Sequence, residues 1–169
     1  TEDKREIHVG ELIFRARLDR IDELAHGKRI IIDYKTKKLS VNAMLGERPD
    51  EPQLPLYLVM TDVDAIGIAF ASVKLGQMEF SAIVRDPDVL PGIKAFSESN
   101  GSKQYESWDA LIAAWQHDLT NLAHGFSRGD ARVNPKNYPA TCEFCTMQPF
   151  CRVHERVNSD LVEQGDANE

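Results

Sequence analysis

Apolar and polar residues alternate along the first third of the chain. The segment from Glu11 to Glu23 predicts one long strand. Arg29 to Lys35 contains three consecutive isoleucines, which is typical of a buried strand. The His-Gly-Lys sequence at residues 26–28 lies between the two segments and predicts a hairpin turn. We therefore expect an antiparallel pair of strands in this part of the chain.

Two further strands and a short helix are predicted downstream. Ala65 to Lys74 and Gln77 to Val84 are rich in apolar and β-branched residues, and Leu75-Gly76 predicts the turn between them. A helix is predicted from Glu51 to about Thr61. Its early prolines are tolerated because the amides of a first helical turn have no partner within the helix.

A longer helix is predicted after Ser107, whose side chain is a suitable N-cap. Gly125 and Gly129 predict its end. Its apolar residues follow the 3.6-residue period: Trp108, Leu111, Ile112, Trp115, Leu119, Leu122 and Phe126. We expect the two tryptophans to lie in the core rather than to stack on nucleic-acid bases. Residues 86–103 predict a loop or short helix, and residues 133–140 a proline-bearing linker.

These elements predict an α/β fold in which a mixed central sheet is flanked by helices. A chain of 169 residues with 42% apolar content is long enough for one domain with a sizeable core. We expect this domain to cover residues 1–155 and a polar tail to cover residues 156–169. No stretch approaches the ~20 apolar residues of a membrane span, and no signal peptide is recognisable. We therefore expect a cytoplasmic protein without a membrane partner.

Asp33 and Lys35 form the first candidate site. Side chains alternate across a strand, so these two point to one face and Tyr34 points to the other. If the upstream strand pairs antiparallel, Asp19 joins them. Two carboxylates then offer oxygen ligands to a hard divalent cation, and the lysine can polarise a water or a phosphate. The alternative is an ordinary Asp–Lys pair on a solvated sheet face, which contributes little to stability.

The predicted short helix contributes the second candidate pair. Gln53 and Tyr57 are four residues apart, so they share a helix face that can point toward the strand-borne carboxylates. Leu54, Leu58 and Val59 are expected to cover the core side. The alternative is that Gln53 and Tyr57 form an ordinary amphipathic boundary without a functional role.

Three motifs in this order resemble the PD-(D/E)xK nuclease superfamily, specifically its RecB-like and AddB-like branch of bacterial recombination and repair exonucleases. They are R-L-D-R-I-D, I-I-D-Y-K-T and E-P-Q-L-P-L-Y, and the resemblance covers residues 7–155. It implies a restriction-endonuclease-like core in which Asp19, Asp33 and the backbone carbonyl of Tyr34 bind Mg²⁺ or Mn²⁺. It further implies that Lys35 assists the attacking water, and that Gln53 and Tyr57 position the site and the DNA backbone.

The chain departs from the family pattern in two places. Family members usually carry glycine three residues before the first aspartate, where this chain has Ala16. The family core also opens with a helix that often supplies a further acidic or histidine ligand, and the residues before Glu11 do not predict a helix. We therefore expect the chain to be a fragment of a longer parent that holds this helix upstream.

All three cysteines lie within ten residues, as C-x₂-C-x₅-C at Cys142, Cys145 and Cys151. Clustered thiols in a chain without a signal peptide favour metal ligands over disulfides. The resemblance implies that they bind a [4Fe–4S] cluster together with one upstream cysteine of the parent. Zinc with His154 as a fourth ligand is an alternative. A third possibility is that they are three buried free thiols.

Charge is unevenly distributed along the chain. The net charge is −7, yet residues 1–40 hold ten Lys and Arg against eight Asp and Glu, which leaves +2 there and −9 in the remainder. The predicted active-site half is therefore the basic half, as phosphate binding requires. Arg17, Arg20, Lys37 and Lys38 are our candidate DNA contacts, with Arg15, Lys28 and Arg29 as further basic residues of this half. The alternative is that all of them are solvated side chains at strand edges.

The sequence thus predicts a metal-dependent DNA nuclease of exonuclease type in DNA repair or recombination. Its expected partners are DNA and a helicase-like protein or upstream domain. The main alternative is a non-catalytic DNA- or protein-binding module that keeps the nuclease fold. A zinc-dependent interaction domain organised by the cysteines is a further alternative.

Overall fold

The computed structural model describes residues 3–61, 63–99 and 103–155. Contacts divide the chain into two compact units, residues 1–129 and residues 130–169, and each is described by itself below. The predicted domain over residues 1–155 spans both units and stays a prediction.

The first unit contains six strands in two sheets. They are β1 (Asp3–Val9), β2 (Leu12–Leu18), β3 (Arg20–Glu23), β4 (Arg29–Lys35), β5 (Ala65–Lys74) and β6 (Gln77–Val84). Strands β1 and β2 form an antiparallel ribbon, and the larger sheet has the order β3-β4-β5-β6. The β4–β5 pair is parallel and the other pairs of this sheet are antiparallel. The sheet is therefore mixed, as predicted.

The predicted long strand from Glu11 to Glu23 was wrong in one respect, because it is two strands. The break falls at Asp19, so β2 pairs with β1 while β3 pairs with β4. The apolar positions change phase at this point, from even-numbered residues up to Leu18 to Ile21 after Asp19, and this change was the signal that could have revealed the break. Strand β1 was not predicted.

Two helices complete the first unit. Helix α1 (Gln53–Met60) lies in the crossover between the parallel strands β4 and β5, and it ends one residue before the predicted end at Thr61. Helix α2 covers Trp108–Ser127. Apolar residues of both helices share one core with Ile31 of β4: Leu54 and Leu58 from α1, and Leu111, Trp115 and Leu119 from α2. Ile30 and Ile32 point to the other face, into a second core with residues of β5, β6 and the segment after β6. The predicted α/β fold, with helices flanking a mixed central sheet, is confirmed.

Helix α2 begins as predicted, because the Ser107 side chain accepts a hydrogen bond from the backbone N–H of Ala110 (3.0 Å). Both tryptophans are buried in the core, and the indole N–H of Trp115 donates to the carbonyl of Met44 (2.7 Å). The end of the helix differs from the prediction. Gly125 lies inside it, whereas Gly129 follows it with a φ of 71°, a conformation that favours glycine.

The core-facing residues of α2 differ from the prediction near its C-terminal end. Leu122 and Phe126 are exposed, although both fit the helical period, and Ala123 is buried in their place. The period therefore identified the helix correctly but not which residues of its last turns face the core.

The second unit contains a 3₁₀ turn at Ala140–Cys142 and a short helix, α3 (Gln148–Cys151). None of the helices in the part of the chain that the structure describes is long and apolar enough to cross a membrane.

Candidate active site

The C-terminal end of β4 places three consecutive side chains on alternate faces of the sheet. Asp33 is 3% exposed and lies on the same face as Ile31 and helix α1, and Lys35 follows it on that face. Tyr34 points to the opposite face and is 45% exposed. The alternation follows from the pleat of a strand. It brings a carboxylate and an ammonium together at the end of a buried strand.

Asp33 is a buried carboxylate with an incomplete set of partners. Its Oδ2 forms an ion pair with Lys35 Nζ (2.8 Å) and is otherwise buried without a hydrogen-bond partner. Burial raises the pKa of Asp33 above its ordinary value, the contact with Lys35 acts against this, and the nearby charge of Asp19 adds to the rise. An unsatisfied buried oxygen on a disfavoured negative charge is the environment that a bound cation would relieve.

Asp19 lies beside this carboxylate because the backbone breaks there. At the junction of β2 and β3, its Oδ2 accepts a hydrogen bond from the backbone N–H of Tyr34 (3.2 Å). The neighbour of Tyr34 is Asp33, whose pKa responds to the charge of Asp19. The two carboxylates therefore act on the same small region at the end of β4.

A chain of hydrogen bonds connects Lys35 to helix α1 and strand β2. Lys35 Nζ donates to Gln53 Oε1 (3.3 Å), Gln53 Nε2 donates to Tyr57 Oη (3.1 Å), and Tyr57 Oη donates to the carbonyl of Arg17 (3.0 Å). Gln53 is half-buried and Tyr57 is buried. Gln53 and Tyr57 of α1 thus orient Lys35 and fix the end of β2, two residues before Asp19. The hydroxyl of Tyr57 donates its hydrogen bond to the backbone carbonyl of Arg17.

The environment of Lys35 contains two residues that the sequence analysis missed. Burial lowers the pKa of Lys35, but the close ion pair with Asp33 and the charges of Glu51 and Asp19 outweigh it and raise the pKa overall. The ammonium also lies 5.6 Å from the ring centroid of Phe70 on β5. Glu51 stands two residues before Gln53, and that proximity was the signal that could have identified it. Nothing local in the sequence indicated Phe70, because the β4–β5 register pairs it with Asp33.

The four candidate DNA contacts lie in different places. Arg17 is exposed on β2, and Lys37 and Lys38 are exposed just beyond β4. Arg20 pairs with Ile32, so it lies on the sheet face opposite Asp33. There it donates to Tyr34 Oη (2.9 Å) and forms an ion pair with Asp22 (2.5 Å), both of which raise its pKa.

The donor set at the end of β4 fits a hard divalent cation. Asp19 and Asp33 supply carboxylate oxygens, which Mg²⁺ and Mn²⁺ prefer, and one of these oxygens is buried and unsatisfied. Among the described residues, no group of three or more His, Cys, Asp or Glu side chains is arranged to hold a metal. The protein side chains at this site therefore provide two ligands, and a backbone oxygen or water must supply the others.

The cysteine segment lies in the second unit. Cys145 is exposed and Cys142 and Cys151 are half-buried, and all three are free thiols. Neither the three cysteines nor a set that includes His154 forms a metal-binding group in the described part of the second unit. Cys151 Sγ contacts the Gln148 carbonyl (3.8 Å) within its own short helix. The assignment of the three cysteines as cluster ligands of the intact parent stays a prediction.

Comparisons with known proteins show what this chain is similar to. The sequence model of the PD-(D/E)XK nuclease superfamily matches residues 2–152. No curated protein matches the chain. Among solved structures, the crystal structure of SSO0001 aligns with 89% of this chain at 19% sequence identity and a TM-score of 0.43. The alignment covers 57% of that protein, so the chain spans little more than half its length.

Proposed function

The chain belongs to the PD-(D/E)XK nuclease superfamily, and we propose that it hydrolyses DNA phosphodiesters with the help of Mg²⁺ or Mn²⁺. Superfamily members generally use divalent metals. The observation that carries the proposal is the buried Asp33 carboxylate with a raised pKa, whose Oδ2 lies 2.8 Å from Lys35 Nζ and which has Asp19 beside it. Burial disfavours its negative charge in spite of Lys35, and a bound cation would offset this cost.

Each residue of the site has a distinct part in the proposal. Asp19, Asp33 and the Tyr34 carbonyl hold the metal, which when bound neutralises phosphate charge and favours ionisation of a water. Lys35 remains cationic and polarises the attacking water or a phosphate oxygen. Gln53 and Tyr57 keep Lys35 in position through the hydrogen bonds described above.

The finer assignments rest on the order of the three sequence motifs. We propose that the chain is of the RecB-like and AddB-like branch and that it acts as an exonuclease in DNA repair or recombination in the cytoplasm. We also propose a helicase-like partner or upstream domain that acts with it on DNA. The [4Fe–4S] cluster of Cys142, Cys145 and Cys151 rests on the resemblance alone and is proposed for the intact parent.

Metal-dependent cleavage is the direct test of the proposal. The longest expressible form of the protein is incubated with labelled DNA and Mg²⁺ or Mn²⁺, alongside Asp33→Asn and Lys35→Ala. We expect both variants to lose turnover while keeping their fold and most of their DNA affinity, since phosphate contacts elsewhere dominate binding. Asp64→Asn, an exposed carboxylate before β5, is the matched control and should cleave normally.

Two results would contradict the proposal in different ways. Undiminished cleavage by Asp33→Asn and Lys35→Ala would remove both residues from the reaction. DNA binding without any metal-dependent cleavage by the wild-type protein would support a binding module that keeps the nuclease fold.

A further inference from the structure

The tip of the β5–β6 hairpin exposes apolar side chains to an unusual degree. Leu75 is fully exposed, Met78 is 82% exposed and Val73 is 52% exposed. Single exposed apolar residues are common, but three within six residues form a patch that usually marks a binding surface. Gly76 has a φ of 77° and allows the tight turn that presents them.

The two faces of this tip differ in character. Val73 pairs with Met78, and Lys74 pairs with Gln77. Ser72 is in register with Lys35 of β4, so Lys74, two residues further along, lies on the same sheet face as Lys35. The tip is therefore cationic on the active-site face and apolar on the opposite face. With a rise of about 3.3 Å per residue, Leu75 lies roughly 10 Å beyond the row that contains Lys35.

A basic groove adjoins the tip on the side of the active site. It has a volume of about 670 Å³, and its lining includes Lys37, Lys38, Ser72, Lys74, Met78 and Glu79. Lys38 Nζ lies 2.8 Å from Glu79 Oε2, and this ion pair holds the segment after β4 against β6. Three lysines against one glutamate give the groove a positive charge. Its lining starts at Thr36, the residue directly after Lys35.

We propose that this hairpin tip opens the terminal base pair of a DNA duplex end. The lysines of the groove bind the phosphates of one strand and direct it to Asp33 and Lys35, while Leu75 and Met78 contact the unstacked bases. Apolar wedges beside basic residues are a general means of unstacking DNA. The occupant is DNA rather than a protein because the groove is positively charged, which suits phosphates, and Met78 lines it together with the lysines. The inference rests on the proposed nuclease function and specifies its substrate as a duplex end.

Base-pair opening can be measured without cleavage. A duplex with 2-aminopurine in its terminal pair is titrated with the Asp33→Asn protein, and the fluorescence of the base reports its unstacking. We expect the 2-aminopurine fluorescence to rise on binding. When Leu75→Ser and Met78→Ser are added, this rise should be smaller by a factor of at least about five. Phe126→Ser, which removes an equally exposed apolar residue of α2, is the matched control and should behave as the parent.

Cleavage assays supply an independent readout. In the otherwise unchanged protein, Leu75→Ser with Met78→Ser should lower the rate on a blunt duplex about tenfold, which corresponds to about 1.4 kcal/mol. Single-stranded DNA of the same sequence should be cut within about twofold of the normal rate. Leu75→Ala serves as a milder variant, and thermal unfolding verifies the fold of each.

Three outcomes would overturn the inference. The first is that fluorescence does not rise when the Asp33→Asn protein binds. The second is that Leu75→Ser with Met78→Ser lowers the cleavage rate equally on duplex and single-stranded DNA. The third is that these substitutions do not lower the cleavage rate at all, which would leave the apolar tip as a surface for a protein partner. Because the fluorescence experiment requires no cleavage, a protein that opens the pair but never cuts DNA would refute the nuclease proposal and not this one.

Discussion

Replacing Asp33 by asparagine should have opposite effects on stability with and without metal. The carboxylate is 3% exposed and its Oδ2 has no hydrogen-bond partner. Its pKa is raised in the folded protein, first by burial and then by Asp19, so the folded state binds a proton more readily than the unfolded state does. The ionised form therefore destabilises the fold, and this cost is absent below the unfolded-state pKa and fully present above the folded-state pKa.

The expected magnitudes follow from general values for such groups. An unsatisfied buried acceptor costs about 1–3 kcal/mol, and asparagine, which resembles the protonated acid, should recover about 1 kcal/mol of this at neutral pH. For a chain of this size, about 1 kcal/mol corresponds to a rise in Tm of roughly 2–4 °C. Metal at one hundred times its Kd should stabilise the wild-type protein by about 2.7 kcal/mol, and the variant much less.

Thermal unfolding in EDTA and in excess Mn²⁺ measures both effects. Asp33→Asn should melt higher than wild type in EDTA and lower than wild type in Mn²⁺, and its advantage in EDTA should disappear as the pH falls below the unfolded-state pKa. Asp64→Asn, at an exposed position, should follow the wild-type curve in both conditions. A variant that is less stable in both conditions would identify Asp33 as a structural residue. Equal stabilisation of variant and wild type by Mn²⁺ would mean that the metal binds elsewhere.

Three further predictions concern other parts of the protein. Lys37→Ala should reduce the slope of log DNA affinity against log salt by roughly 1, whereas Arg20→Ala, on the opposite sheet face, should change this slope less. A larger change with Arg20→Ala than with Lys37→Ala would contradict the proposed path of the DNA. Tyr57→Phe removes the hydrogen bond to the end of β2, and we expect it to lower the free energy of unfolding by about 1 kcal/mol. It should also slow cleavage without weakening DNA binding. Unchanged cleavage would mean that Tyr57 only packs in the core and does not position the site. The intact parent, purified without oxygen, should absorb broadly near 400 nm if the resemblance extends to its cluster, and Cys145→Ser should remove this absorption and lower Tm; stoichiometric zinc without iron would refute the cluster.

The sequence by itself determined the elements whose signals are local. The isoleucine run ending at Lys35 is β4, and the hairpin of β5 and β6 has the predicted bounds, because an apolar run between turn residues suits few structures other than a buried strand. Alternation along β4 also determined that Asp33 and Lys35 share a face. The order of the motifs indicated the superfamily before any coordinates were considered.

The tertiary structure alone decided how distant segments meet. The break at Asp19, the parallel register that sets Phe70 beside Asp33, and the face on which Arg20 lies all depend on which strands pair. These pairings join residues far apart in sequence, so no local period records them. Helix α2 gives the same lesson, since Leu122 fits the period as well as Leu119 does, yet it is exposed because Ala123 faces the core instead. The unsatisfied oxygen of Asp33 is likewise a property of packing, since burial and missing partners exist only once the strands and helix α1 have assembled around it.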